Sequence, residues 1–78
     1  MKINTNIILN AIRNADEKKK SFYRQCYEAD YAFDVESGDE KFEIKPCRMS
    51  GYLSDATVYA RGYEEAEISY EDLRDAVQ

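Results

Sequence analysis

The strongest pattern in the chain runs from Tyr23 to Val35. Tyr23, Tyr27, Ala29, Tyr31, Phe33 and Val35 occupy odd positions, broken only by Gln25, while Arg24, Glu28, Asp30, Asp34 and Glu36 occupy even ones. A period of two gives one apolar and one charged face, and predicts a strand from about residue 24 onward. Residues 22–26 also fit a helix, because Phe22, Tyr23, Cys26 and Tyr27 are spaced for it.

Before this stretch the period is helical. Ile8, Ala11, Ile12 and Ala15 form one stripe, widened by Ile7 and Leu9, and Thr5 is placed to cap it. The helix is expected to end near Lys18 to Lys20, where cations suit the negative end of the helix dipole.

After it, Ser37-Gly38-Asp39-Glu40 reads as a turn, with Gly38-Asp39 suited to a two-residue type II′ hairpin. The second strand then covers Lys41 to Lys45. Its register pairs Val35 with Phe42 and Phe33 with Ile44 inside, and Glu36 with Lys41 and Asp34 with Glu43 outside. Pro46 is expected to end this ladder, since it has no N–H to donate. Residues 47–55, with Ser50-Gly51 and Ser54-Asp55, read as a loop holding Tyr52 and Leu53. Ala56 to Arg61 reads as a third strand and Gly62 as a bulge or turn. Glu65 to Ile68 is a short fourth strand or a continuation, with Ala66 and Ile68 inward and Glu65 and Glu67 outward. Ser69-Tyr70-Glu71-Asp72 has the form of a capping box with Asp in the place of Glu or Gln. A short helix carrying Tyr70, Leu73, Ala76 and Val77 closes the chain. The expected fold is one α+β domain over 1–78: an N-terminal helix, a three- to four-stranded antiparallel sheet and a short C-terminal helix.

Composition sets limits on this domain. Its 78 residues include six Ile, three Leu, three Val and three Phe, a thin supply of core formers that seven Tyr must supplement. A core of this size stabilises a fold by only about 3–5 kcal/mol, so dimerisation or a larger partner would help it. The longest apolar run, Ile7-Ile8-Leu9, is far short of a membrane span, and the first residues lack the apolar core of a secretory signal. The expected location is cytoplasmic. There Cys26 and Cys47 are expected as reduced, packed thiols, although one disulfide between them is possible.

Charge changes the picture more. The net charge is −5. Residues 1–26 carry six bases and two acids; residues 27–78 carry five bases and fourteen acids. Such asymmetry suggests opposed faces that meet different partners, or faces that attract each other within the fold or across a dimer.

No catalytic signature is present. With no His, a Ser or Cys nucleophile lacks its usual base, and the chain has no GxSxG, phosphate-binding loop or GxGxxG. Two Cys without His do not make a structural zinc site, and the turn after Asp34 does not have EF-hand spacing. A weak divalent site where Asp34 faces Glu43 is the remaining metal possibility. The expectation is no enzyme activity, no cofactor and no metal.

What remains is surface. Glu28, Asp30, Asp34 and Glu36 are expected in one row on the first strand, joined by Glu43. Alternate strand residues lie roughly 6.7 Å apart, comparable with successive phosphates of a nucleic acid. Glu64, Glu65, Glu67, Glu71, Asp72 and Asp75 form a second acidic cluster. Tyr31, Tyr63 and Tyr70 interleave the two, together with Tyr27. Tyrosine gives large contact area with few torsions to freeze. Against this stands the ordinary charged outer face of a half-buried sheet, part-neutralised by Lys41 and Lys45.

In size, acidity and lack of catalytic groups the chain is similar to phage-encoded inhibitors of host defence, such as anti-CRISPR and anti-restriction proteins. That resemblance implies a small acidic protein that occupies the basic surface of a nucleic-acid-binding protein or complex. No residue role is transferred by it. The alternative is a non-catalytic structural or adaptor module, acting as a homodimer or complex subunit. Direct nucleic-acid binding through Arg13, Lys18, Lys19, Lys20 and Arg24 is disfavoured, because the acids of the rest of the chain oppose phosphate approach.

Overall fold

The computed structural model describes residues 4–49 and 52–78. Three helices and four strands follow one another: α1 (Thr5–Arg13), α2 (Glu17–Ala29), β1 (Phe33–Ser37), β2 (Glu40–Met49), β3 (Tyr52–Ala60), β4 (Tyr63–Ile68) and α3 (Tyr70–Val77). The strands form one antiparallel sheet in the order β1-β2-β3-β4. The α+β architecture expected from the pattern is present, with an added helix at its start.

That added helix corrects two expectations. Asn4, not Thr5, caps α1, its side chain accepting from the Asn6 N–H at 3.0 Å. α1 stops at Arg13, and Asp16 opens α2 by accepting from the Lys19 N–H at 2.8 Å. Lys18, Lys19 and Lys20 therefore stand at the start of a helix rather than at its end. The positive end of the dipole disfavours them there, and Asp16 and Glu17 offset part of that cost.

Residues 24–29 are helical, not extended. Tyr23, Cys26 and Tyr27 are the buried residues of α2, at spacings of three and four. The helix ends on Asp30, which adopts a left-handed φ of 65°. The Tyr31 N–H then donates to Cys26 O at 2.8 Å and the Asp30 N–H to Tyr27 O at 3.4 Å, a Schellman-type ending. Only from Phe33 does the alternation describe a strand.

The first hairpin has the expected register: Phe33 opposite Ile44, Asp34 opposite Glu43, Val35 opposite Phe42, Glu36 opposite Lys41. Gly38 has φ 61°, the positive value that the first position of a two-residue type II′ turn requires. β2 continues past Pro46 to Met49, against expectation. Pairing with β1 ends at Ile44, so Pro46 breaks no ladder on that side. On the other side it lies in an irregularity between the pairs Lys45–Thr57 and Cys47–Ser54, where two residues of β3 face one of β2. The expected loop over 47–55 is thus mostly strand, and its Ser50-Gly51 turn lies outside the described residues. The second two-residue turn, Arg61-Gly62, has φ of 56° and 83°; two positive values define the type I′ geometry that suits a twisted hairpin. β4 starts at Tyr63, earlier than expected, with an irregularity that leaves Glu65 without a partner on β3.

Phe33, Val35, Phe42, Ile44, Ala56, Val58 and Ile68 share one face of the sheet. They join Ile8, Leu9 and Ile12 of α1, Tyr23, Cys26 and Tyr27 of α2, and Leu73, Ala76 and Val77 of α3 in a single core. α1 packs on β1 and α3, α3 on β3, and α2 on α3. The Tyr23 ring lies 5.0 Å from that of Phe33. Ser69 caps α3 by accepting from the Asp72 N–H at 3.2 Å, as the sequence suggests, and Asp55 accepts from the Tyr70 N–H at 3.3 Å. Among the described residues all three helices therefore belong to one layer, and the other face of the sheet carries no helix. Among the described residues no helix is long and apolar enough to cross a membrane. Cys26 is buried, Cys47 is exposed, and both are unpaired.

Candidate partner-binding face

Alternation along each strand, combined with the register, dictates what the open face displays. Asp34, Glu43, Tyr59 and Glu64 are successive cross-strand neighbours, one from each strand. They make a continuous row about 14 Å long at the usual strand spacing. Glu36 and Lys41 pair on one side of this row, and Lys45, Thr57 and Glu67 on the other. Among the described residues of these ladders the open face thus shows five carboxylates against two ammonium groups, arranged about the Tyr59 ring.

The two lysines are already engaged. Lys41 Nζ lies 3.4 Å from Asp34 Oδ2, and Lys45 Nζ lies 3.8 Å from Glu43 Oε1. These contacts relieve the like-charge opposition of Asp34 and Glu43, and they put a cation where a divalent metal was considered. All four side chains are about half exposed or more, so each pair contributes at most about 1 kcal/mol. Glu36, Glu64 and Glu67 have no ion-pair partner among the described residues. Lys45 also stands over the Tyr59 ring, 4.9 Å from its centroid. Beside Tyr59 a shallow depression of about 550 Å³ is lined by Asp34 of β1 and Glu40, Lys41 and Glu43 of β2, with Asp39 from one turn and Arg61 from the other.

The other residues singled out in the sequence fall elsewhere. Glu28 lies on α2 and Asp30 is its C-cap, so neither joins Asp34 and Glu36; the expected row of four is a row of two. Helical twist carries Glu28 away from the strand face. Tyr31, between α2 and β1, and Tyr63, beside the second turn, are 68% and 74% exposed. Glu65 is half-buried in the β4 irregularity. The C-terminal cluster also divides: Glu64 and Glu67 belong to the sheet, whereas Glu71, Asp72 and Asp75 belong to α3 in the helical layer. Tyr70 is half-buried there, its ring 5.7 Å from Tyr27 and 5.6 Å from the Arg74 guanidinium. Arg74 in turn pairs with Asp75 at 3.4 Å. Tyr59 is the residue that sequence reasoning missed. It reads only as a β-former until the register places it between Glu43 and Glu64.

Perturbed titrations lie in the helical layer, away from the open face. Burial pushes the Tyr27 hydroxyl well above the ordinary tyrosine value. Tyr27 is only 6% exposed, and its hydroxyl has no hydrogen-bond partner among the described residues. Burial, then the Glu36, Asp16 and Asp34 carboxylates, raises Tyr23. Burial raises the Cys26 thiol, which keeps it protonated and a poor nucleophile. Asp75 raises the Arg74 guanidinium. Among the described residues no three His, Cys, Asp or Glu side chains converge as metal ligands. The basic residues Arg13, Lys18, Lys19, Lys20 and Arg24 stand on α1 and α2, in the layer opposite the acidic face.

What fold and surface define together is a two-layer α+β unit with an unshielded acidic sheet face. No protein-family model matches the chain, and neither does a curated protein or a solved structure.

Proposed function

We propose that the chain is a non-catalytic acidic binding protein that occupies the basic surface of a nucleic-acid-binding protein and so competes with the nucleic acid. The observation that carries this reading is the row Asp34–Glu43–Tyr59–Glu64 on a sheet face that no helix covers. A sheet fixes carboxylates before the partner arrives, so little ordering entropy is lost on docking. Negative potential steers the chain onto a Lys/Arg surface, and the central ring supplies apolar contact once water is expelled. Along β1, Asp34 and Glu36 stand roughly 6.7 Å apart, near the separation of adjacent phosphates. The encounter takes place in the cytoplasm on this reading, where thiols such as Cys26 and Cys47 stay reduced.

Competition tests it. A lysine- and arginine-rich peptide bound to labelled duplex DNA is titrated with the protein. Release of the DNA is expected at about 0.05 M salt, weakening about tenfold or more by about 0.3 M as charges are screened. Release that is insensitive to salt, or no release at low salt, contradicts the reading. Sedimentation of the protein alone tests the adaptor alternative: a stable homodimer burying the Asp34–Glu64 row would replace the first reading with the second.

A further inference from the structure

We infer that Tyr59 is an arginine receptor, and that Lys45 is a resident cation that the partner's guanidinium displaces. This rests on the proposed acidic-face reading and goes further, because it names the side chain that the face selects.

The chain's own contacts show that the Tyr59 ring accepts a cation. Lys45 is the diagonal neighbour of Tyr59 across the β2–β3 ladder, which pairs Lys45 with Thr57 and Glu43 with Tyr59. From there its ammonium reaches 4.9 Å from the ring centroid while staying 3.8 Å from Glu43 Oε1. That separation lies inside the roughly 6 Å range of cation–π attraction. The hold is weak, because the Lys45 side chain is 52% exposed. Water and salt compete for it.

Arginine is better matched to this place than the lysine that occupies it. A guanidinium is flat, so it stacks on a phenol ring while its edge N–H groups donate to carboxylates. Tyr59 has a carboxylate neighbour on each flanking strand, Glu43 on β2 and Glu64 on β4. Lys45 engages Glu43 only; Glu64 has no ion-pair partner among the described residues. Lysine from a partner is a point charge and exchanges one ammonium for another. Arginine adds the stack and a second acceptor. The depression beside Tyr59 gives the incoming side chain room, and its four carboxylates, Asp34, Asp39, Glu40 and Glu43, outweigh the two cations that also line it, Lys41 and Arg61. Charge also decides the class of partner: phosphates are repelled from this face, so the arginine belongs to a protein.

The test compares hexaarginine with hexalysine by titration against the full chain at low salt. Hexaarginine is expected to bind about two- to fivefold more tightly. Tyr59→Leu abolishes that preference while the circular dichroism stays that of the folded chain, and Tyr59→Phe, which keeps a ring, retains it. Lys45→Met tightens hexaarginine binding, since the competitor is gone. Equal binding of the two peptides, or a preference that survives Tyr59→Leu, or weaker binding by Lys45→Met, overturns the arginine receptor but leaves the acidic face in place. The underlying reading fails by a different result: hexaarginine binding unchanged in the double variant Glu43→Lys, Glu64→Lys.

Discussion

Two regions of this molecule gather carboxylates, three on α3 and five on the open sheet face, and differ in what those groups do. On α3, Asp72 stands in the first turn and its N–H is held by the Ser69 cap, while Glu71 sits beside it at the favourable end of the helix dipole and Asp75 pairs with Arg74. These acids serve the helix that carries them. On the open sheet face, Asp34 and Glu43 oppose each other at a cost, two weak lysine contacts offset part of it, and Glu64 and Glu67 serve no visible structural purpose. Acidity alone therefore marks no site. On the proposed reading, the carboxylates that bind are those the fold does not use, arranged around an aromatic ring.

The scaffold under both regions is the place of largest effect. Ile44 is fully buried on the inner face of β2, directly beside Glu43 in sequence. Ile44→Ala is expected to cost about 2–5 kcal/mol, enough to unfold much of a chain with so thin a core, as urea titration will show. Its neighbour behaves oppositely. The double variant Glu43→Lys, Glu64→Lys is expected to weaken hexaarginine binding about tenfold or more, equivalent to about 1.4 kcal/mol, with stability changed by no more than about 0.5 kcal/mol per site. If the double variant instead melts the protein and spares binding, the division between the two faces is wrong.

α3 supplies the converse. Ser69→Ala removes the cap and is expected to cost about 1 kcal/mol in thermal or urea unfolding, with peptide affinity unchanged. Loss of affinity here would mean that the α3 acids take part in binding.

The smallest effect concerns pH. Because the Tyr27 hydroxyl is held above the ordinary value of 10.0 in the folded chain, the unfolded chain loses its proton first as pH rises. Stability contributed by the neutral hydroxyl is thus complete below about pH 10 and falls from there upward. Tyr23 acts in the same direction. Tyr27→Phe removes an enclosed hydroxyl without a partner, so it is expected to flatten the alkaline limb of the stability profile at little cost at neutral pH. Unfolding profiles from pH 8 to 11 for the two proteins decide this.

How much of this could be read in the sequence depends on period. The hairpin from Phe33 to Ile44 was legible because a two-residue turn and alternating side chains admit one register only. The stretch before it was not, and the reason is arithmetical. Tyr23, Tyr27 and Tyr31 are four apart, and a spacing of four keeps residues on one face of a strand and also on one face of a helix. Cys26, between them, breaks the strand pattern and fits the helix. Asp16, an N-cap ahead of Lys18-Lys19-Lys20, was the stronger signal. Pro46 misled for a different reason: the strand that it would have blocked, β1, had already ended. Of the candidate site, Asp34, Glu36 and Glu43 were placed correctly because the hairpin was. Glu64 and Tyr59 needed the β2–β3 and β3–β4 registers, each of which carries one irregularity that hides it from a reading by alternation.

Binding at the open sheet face can be mapped residue by residue. Amide resonances of the labelled protein are followed while hexaarginine is added at low salt. Perturbation is expected to concentrate at Asp34, Glu43, Tyr59 and Glu64, with Glu71, Asp72 and Asp75 undisturbed. Perturbation centred on α3, or spread evenly over every acidic residue, would contradict binding at that face.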